Sequence, residues 1–369
     1  MRAVSSTQPS AVPHVAADIT PEWLTQALQA QHPGARVAAV EIVGSDEVTN
    51  QHVRLRVSYD EPAGAPELLF GKLLPLDPQR RESIALTRMG PREARFYAEL
   101  APQLALRVPE VHVAAVGADD REFVVLLEDL DDSGCRVSDG TWGIAPDGAA
   151  QALEDLAAMH VRYEDPARRS AEAAWVPPYS AGGTYAVDRL QFALDHHRDR
   201  ISDGFATVSE LYIANRLAVH DLWTGPDVTI VHGDTHIGNL FVDPAAGSDR
   251  VGFYDWGVIH LDQPLRDVSY LLQMAMQPDD RRAHEHDLLR HYLDVRTALG
   301  ATPMSFDDAW AQHRLRASYT VVASCQVVTF PDDITPQREV FANAFLERAE
   351  AAVQDLDAVD ALTRALEDH

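Results

Sequence analysis

"VHGDTHIGNLFVD", Val231 to Asp243, packs two histidines, an aspartate and an asparagine into one short loop between apolar ends. A second apolar run, "VGFYD" (Val251 to Asp255), follows the turn-rich connector "PAAGSDR". Read as a hairpin, "NLFVD" and "VGFYD" bring Asn239, before the first strand, and Asp255, ending the second, to the same open end. Antiparallel strands lie about 5 Å apart, so these two oxygens can share one cation. Asp234 lies on the loop leading into that end. A carboxylate and an amide, with no thiolate, suit a hard ion such as Mg²⁺, which keeps room for waters and phosphate oxygens. Asp234 is then left to accept or orient a hydroxyl proton.

The basic residues sharpen this reading. All but one of the 31 are arginine, and the single lysine is Lys72, inside the apolar run "ELLFGKLLP". Arginine and lysine are not interchangeable where a compact charge must reach a crowded anion. Glu93, on the following helix, is the natural partner to hold that ammonium. A cation site, a carboxylate for the acceptor and a lysine from elsewhere in the chain are the parts that phosphoryl transfer requires. Catalysis there is mostly positioning and charge neutralisation.

The rest of the chain supplies a frame. "DITPEWLTQALQAQHPG" predicts a short helix with Thr20 as N-cap, Pro21 at its first position and Gly34 past its end. Three strand-like runs follow, Ala35 to Val43, His52 to Tyr59 and Glu67 to Leu74, and predict an antiparallel meander. "PREARFYAEL" predicts a helix from Pro91 with Glu93, Phe96, Tyr97 and Leu100 on one face. Two more strands, "VPEVHVAAVG" and "EFVVLLEDL", complete a β-rich first part ending near Leu130. From "GAAQALEDLAAMHVRYE" (Gly148 to Glu164) onward the pattern is helical, apart from the hairpin. The chain, 369 residues long, thus divides into 1–130 and 131–369.

Composition bounds the function. Hydrophobic content of 46% with 24% charged residues describes a soluble globular protein. The net charge of −26 repels nucleic acid and anionic membrane surfaces and suits a cationic small molecule. The longest apolar run, "YTVVASCQVVTF", is too short to span a bilayer. Two cysteines and an N-terminus without an apolar h-region point to the cytoplasm.

"HGDTHIGN" followed by "FYDWG" resembles the catalytic and metal motifs of the aminoglycoside phosphotransferase and choline kinase-like family. "EARFYAEL" and "LLEDL" lean toward its ecdysteroid-kinase-like and related bacterial branch. "FGKLL" resembles the family's β3 lysine, "EARFYAEL" its αC glutamate helix, "LLEDL" its hinge and "LRDVSYLL" the helix after the metal motif. The resemblance implies an α+β, two-lobed, protein-kinase-like fold. Its small antiparallel β-rich lobe carries one key helix, and its larger, mainly α lobe carries the catalytic-loop hairpin. It further implies a transferase with ATP (GTP being the other candidate) and Mg²⁺ as cofactors and a small hydroxyl-bearing acceptor. Asp234, in the loop 232–239, would be catalytic base or orienter; Asn239 and Asp255, the latter in the motif 255–257, would be metal ligands. Lys72 would contact the α/β-phosphates and pair with Glu93. Leu127 to Leu130, including Glu128 and Leu130, would form the hinge under the adenine. His232 and Asp267 would hold the catalytic loop, with His236 in an accessory role.

One stretch departs from the pattern. "GSDEVTNQ" has Gly44 alone where a phosphate-covering loop usually carries several glycines. Asp46 and Glu47 would repel phosphate if they pointed inward, and Thr49 and Asn50 are the residues able to donate instead. Two rival functions follow from the same residues. A zinc hydrolase would use His232, Asp234 and His236, and a catalytically silent kinase-like module would bind nucleotide without turnover.

Overall fold

The computed structural model describes residues 12–47, 49–181, 183–225, 228–244, 249–331 and 334–369. Residues 1–11, Val48 of the atypical loop and 245–248 of the hairpin connector lie outside the described residues. The chain forms two compact units, Met1–Arg136 with Tyr254–Val258, and Val137–Phe253 with Ile259–His369.

In the first unit a five-stranded sheet runs in the order β1–β2–β3–β5–β4. The strands are β1 (Arg36–Glu47), β2 (Gln51–Glu61), β3 (Leu68–Leu73), β4 (Val111–Val116) and β5 (Phe123–Glu128), all paired antiparallel. β2 shows why. Val53, Leu55 and Val57 are buried and alternate with exposed Arg54, Arg56 and Ser58, the period of a strand with one wet face. Helix α1 (Pro21–Leu28) caps with Thr20 Oγ1, which accepts the Trp23 N–H at 3.2 Å, and Gly34 takes φ +93° in the turn beyond. Leu24 and Leu28 then join Val53, Leu55, Leu69, Leu73, Val124 and Leu126 in one core.

The other sheet face is covered differently. Helix α2 (Pro78–Thr87) meets α3 (Met89–Arg95) at Arg88, whose φ of +57° turns the chain, and α3 continues as a π-turn over Phe96–Leu100. Glu93, Phe96, Tyr97 and Leu100 are all buried, as their common face predicts. Segment Tyr254–Val258 packs here too. The Trp256 ring stacks on Phe96 at 3.6 Å between centroids, 9° from parallel.

The second unit is helical: α4 (Pro146–Arg162), α5 (Pro166–Glu172), α6 (Tyr185–His196), α7 (Asp203–Trp223), α8 (Leu265–Ala275), α9 (Pro278–Ala298), α10 (Phe306–Ala323), α11 (Pro336–Asp355) and α12 (Ala358–Asp368). Every residue of α8 is buried, so this helix is the axis on which the unit is built. The expected hairpin is present, with Leu240–Asp243 paired to Arg250–Phe253 from Leu240↔Phe253 to Asp243↔Arg250. Its second strand stops at Phe253 rather than at Asp255, because Asp255 adopts a left-handed φ of +62° that no strand accommodates. Among the described residues no helix is long and apolar enough to cross a membrane.

A Cβ at Gly90 would stand 2.0 Å from the Phe123 ring. Gly90→Ala is therefore expected to overpack the joint between α3 and β5, at about 1–3 kcal/mol. Thermal denaturation should register a lower melting temperature than wild type.

Candidate functional site

The first unit gathers one group of functional side chains. Lys72 sits mid-sheet, opposite His52 of β2 and Val125 of β5, and is buried. An ammonium there must find anions, because an unpaired buried charge is strongly destabilising. Lys72 Nζ donates to Glu93 Oε1 at 2.9 Å and Oε2 at 3.3 Å, and Asp255 Oδ1 stands 3.5 Å away. Burial alone would lower the ammonium's pKa, but the Asp255 and Glu93 carboxylates outweigh it and lift the group above its ordinary value. Burial pushes the Glu93 carboxyl up to about 7, against the pull of Lys72. The ammonium is the fixed charge of the pair. Asp255 holds its left-handed backbone at a cost on the order of 1 kcal/mol, an expense typical of functional positions.

Of the hinge candidates, the Glu128 carboxylate and the Leu130 carbonyl have partners within the unit. Glu128 is held by Arg107, whose two terminal nitrogens donate at 3.0 Å each, and by the Glu110 N–H at 2.9 Å. The Leu130 carbonyl accepts from Cys135 N at 2.9 Å. The neighbouring Asp129, which the sequence reading did not single out, is the buried one; it takes Arg54 Nε and caps the turn at Asp131 N, 3.2 Å. In the atypical loop Glu47 points its carboxylate at the Leu76 N–H, 2.8 Å. That N–H, with Arg80 at 3.7 Å, engages the charge expected to trouble phosphate. Thr49 is exposed, while Asn50 is buried with Oδ1 lacking a hydrogen bond.

The second unit builds the loop 232–239 from its backbone. Asp267, buried on α8, accepts His232 N at 2.7 Å on Oδ2 and Gly233 N at 2.8 Å on Oδ1. Thr235 Oγ1 donates to the Asp267 carbonyl at 2.8 Å. From the other side Arg266 grips the Gly233 carbonyl through Nη2 at 3.2 Å, its guanidinium lying 3.4 Å over the Tyr319 ring. Gly233 itself needs φ +85°, which glycine adopts without a Cβ penalty. His160 Nε2 lies 3.2 Å from Asp267 Oδ2, and its Nδ1 meets Tyr292 Oη at 2.8 Å. Arg266 and His160 were missed in the sequence. Arg266 had a signal, the adjacent pair in "LRDVSYLL"; His160 had none, lying 107 residues from its partner.

On this fixed loop Asn239 donates its amide to Asp234 Oδ2 and to the Asp234 carbonyl, both at 2.9 Å. The amide oxygen is thus the atom Asn239 retains for other use. His236 Nε2 stands 3.5 Å from Asp234 Oδ2. Burial would raise the Asp234 carboxyl, but His236, then His232 and Arg266, hold it below its ordinary value. His232 and His236 each accept a backbone N–H two residues onward through Nδ1, at 3.3 and 3.0 Å. Both rings therefore act as turn caps as well.

Comparison with known proteins gives a family. The model of the phosphotransferase enzyme family (APH) matches residues 79–303. No curated protein sequence matches. Among solved structures the chain is similar to a GDP complex of an aminoglycoside 2′-phosphotransferase-IIIa mutant, with 14% identity, 92% of this chain and 99% of that one covered, and a TM-score of 0.50. Choline kinase LicA from Streptococcus pneumoniae also aligns, at 14% identity, 86% and 94% coverage and a TM-score of 0.47. The likeness to the first of these is one of fold alone.

Asp267→Ala is expected to cost about 3–5 kcal/mol, since it strands two buried N–H groups and His160. Burial would raise the Asp267 carboxyl, but His160, His232 and the Gly233 N–H keep it depressed. A depressed carboxyl contributes stability above its unfolded pKa, about 3.9, and loses it as pH falls through the folded value. Denaturant melts of wild type and variant should differ fully from about pH 5 upward and converge in strong acid.

Proposed function

The chain belongs to the phosphotransferase enzyme family and is a small-molecule kinase acting on a hydroxyl group, and we propose that it draws its phosphoryl group from ATP carried with Mg²⁺. The observation that carries this reading is the chain's single lysine, buried, paired with Glu93 and facing Asp255 at 3.5 Å. A structural lysine would be satisfied by Glu93 alone. The second carboxylate, partly exposed, gives the ammonium more anion than it needs, and a divalent ion held by Asp255 would offset that excess and let phosphates reach Lys72.

In this reading Lys72 binds the α/β-phosphates, and Glu93 keeps its ammonium from collapsing onto another carboxylate. The Asn239 amide oxygen and the Asp255 carboxylate would hold the Mg²⁺; a neutral and an anionic oxygen, with no sulfur, fit a hard ion. Bound Mg²⁺ supplies charge neutralisation on the phosphate oxygens. Asp234 orients the acceptor hydroxyl and takes its proton. A carboxylate held below its ordinary pKa is a weak base, yet a loose phosphoryl-transfer transition state asks for positioning more than basicity. Arg266 and Asp267 fix the loop so that Asp234 need not reorganise. Glu128 would serve the adenine through its carbonyl and Leu130 through its N–H, since the Glu128 N–H donates to Glu110 O and the Leu130 carbonyl accepts from Cys135 N. Thr49 and Asn50 would serve the phosphates.

The acceptor is a small hydroxyl-bearing molecule, and the net charge of −26 favours a cationic one. The hydrolase alternative is not favoured: His232 and His236 spend Nδ1 on their own turn, and it leaves the Lys72 cluster without a purpose. The silent-module alternative rested on the atypical "GSDEVTNQ" loop, in which Glu47 is held by the Leu76 N–H at 2.8 Å, and the presence of Asp234, Asn239 and Asp255 counts against it.

An ATP-consumption screen across alcohol classes should yield an acceptor whose turnover depends on Mg²⁺ and stops with excess chelator. On that acceptor Asp234→Ala should lower kcat by roughly 10²–10⁴ with nucleotide binding retained. Lys72→Arg should also fail, since the forked guanidinium does not replace a point charge. Wild-type turnover by either variant would refute the assigned roles.

A further inference from the structure

Away from these residues, the first unit holds a group that phosphotransfer does not use. Among the described residues His32, Glu110 and His112 bring one ligand atom each within 4.8 Å of one another. His32 Nε2 and His112 Nδ1 are 3.2 Å apart. We propose that His32, His112 and Glu110 form a zinc site that ties the turn after α1 to β4, an edge strand of the sheet.

The geometry is the argument. Zinc held tetrahedrally at 2.0–2.1 Å from imidazole nitrogens places those nitrogens about 3.3 Å apart. The two rings already stand at that spacing. Two imidazoles and one carboxylate are a common zinc set, leaving a fourth position for water. Each ligand also rests on fixed backbone. His32 N donates to Leu28 O at 2.7 Å and its carbonyl accepts from Ala35 N at 3.0 Å. Gln29 bridges the same turn, donating to Ala35 O at 2.9 Å and accepting Gly34 N at 3.1 Å. Glu110 is tied to Glu128 twice: its N–H donates to Glu128 Oε2 at 2.9 Å and its carbonyl accepts from Glu128 N at 2.8 Å. A plain hydrogen bond between two neutral rings explains the 3.2 Å contact but gives the adjacent carboxylate no part.

The donor set selects the metal. Imidazole nitrogen favours Zn²⁺ over Mg²⁺, so this site and the proposed nucleotide-metal site do not compete. The test uses the full chain without a histidine tag, stripped with a chelator and titrated with Zn²⁺ alone. We expect one zinc per chain by calorimetry, a rise in melting temperature that Mg²⁺ does not produce, and strong visible absorption when Co²⁺ replaces zinc. Glu110→Gln, at an exposed position, and His32→Gln should each weaken zinc binding roughly tenfold or more and remove the thermal gain. ATP turnover should stay at the wild-type level in both. Zinc affinity in either variant equal to wild type overturns the proposal. Binding that survives both and vanishes in His236→Gln overturns it too, and would instead revive the hydrolase reading. Loss of zinc with turnover intact separates failure here from failure of the kinase assignment.

Discussion

A charged ammonium inside a β-sheet is the constraint from which the first unit follows. Lys72 is flanked by apolar strands, and its desolvation is tolerable only if carboxylates meet it. Glu93 does so only when α3 lies across the sheet, which is why that helix is buried along its Glu93–Phe96–Tyr97–Leu100 face. Asp255 does so only by leaving its strand and adopting φ +62°. The stacking of Trp256 on Phe96 anchors that excursion, so one ion cluster draws a segment from position 254 into a unit otherwise made of the first 136 residues.

The second unit answers a different demand, that of holding a loop still. A loop carrying a reactive carboxylate has backbone polar groups that helices and strands would otherwise satisfy. Here α8 does it with consecutive residues: Asp267 takes the N–H groups of His232 and Gly233, and Arg266 takes the Gly233 carbonyl. Neighbours of opposite charge thus grip opposite polarities of the same peptide stretch. Because α8 is buried throughout, the clamp has little freedom. The orientation of Asp234 is set by the core, not by the loop.

Much of this was legible in the sequence because the signals were local. The Thr20 cap, the β2 alternation, the Glu93 helix face and the two-strand hairpin each depend on residues close in the chain. The lone lysine was legible through composition alone. What escaped reading was long-range or geometric. His160 reaches Asp267 across 107 residues. Glu47 is held by a peptide N–H at position 76, so its charge looked more troublesome in the sequence than in the fold. The strand end at Phe253 was misplaced by two residues because a left-handed aspartate leaves no compositional mark. The chain was divided at 130, whereas contacts carry the first unit to Arg136 and return Tyr254–Val258 to it, through packing that no window of sequence contains.

Ligand chemistry separates what proximity along the chain would confuse. "HGDTHIGN" looks metal-binding because of its histidines, yet those rings cap turns through Nδ1 while the oxygens of Asn239 and Asp255 suit a hard ion. "HP" after α1 and "PEVHV" at β4 look unremarkable, yet they place two imidazole nitrogens 3.2 Å apart beside a carboxylate. Metal preference follows from donor chemistry and spacing, not from which residue types cluster in sequence. The histidine-rich loop turns its Nδ1 atoms to its own backbone, and the sparse pair at an edge of the sheet holds two nitrogens at the spacing zinc requires.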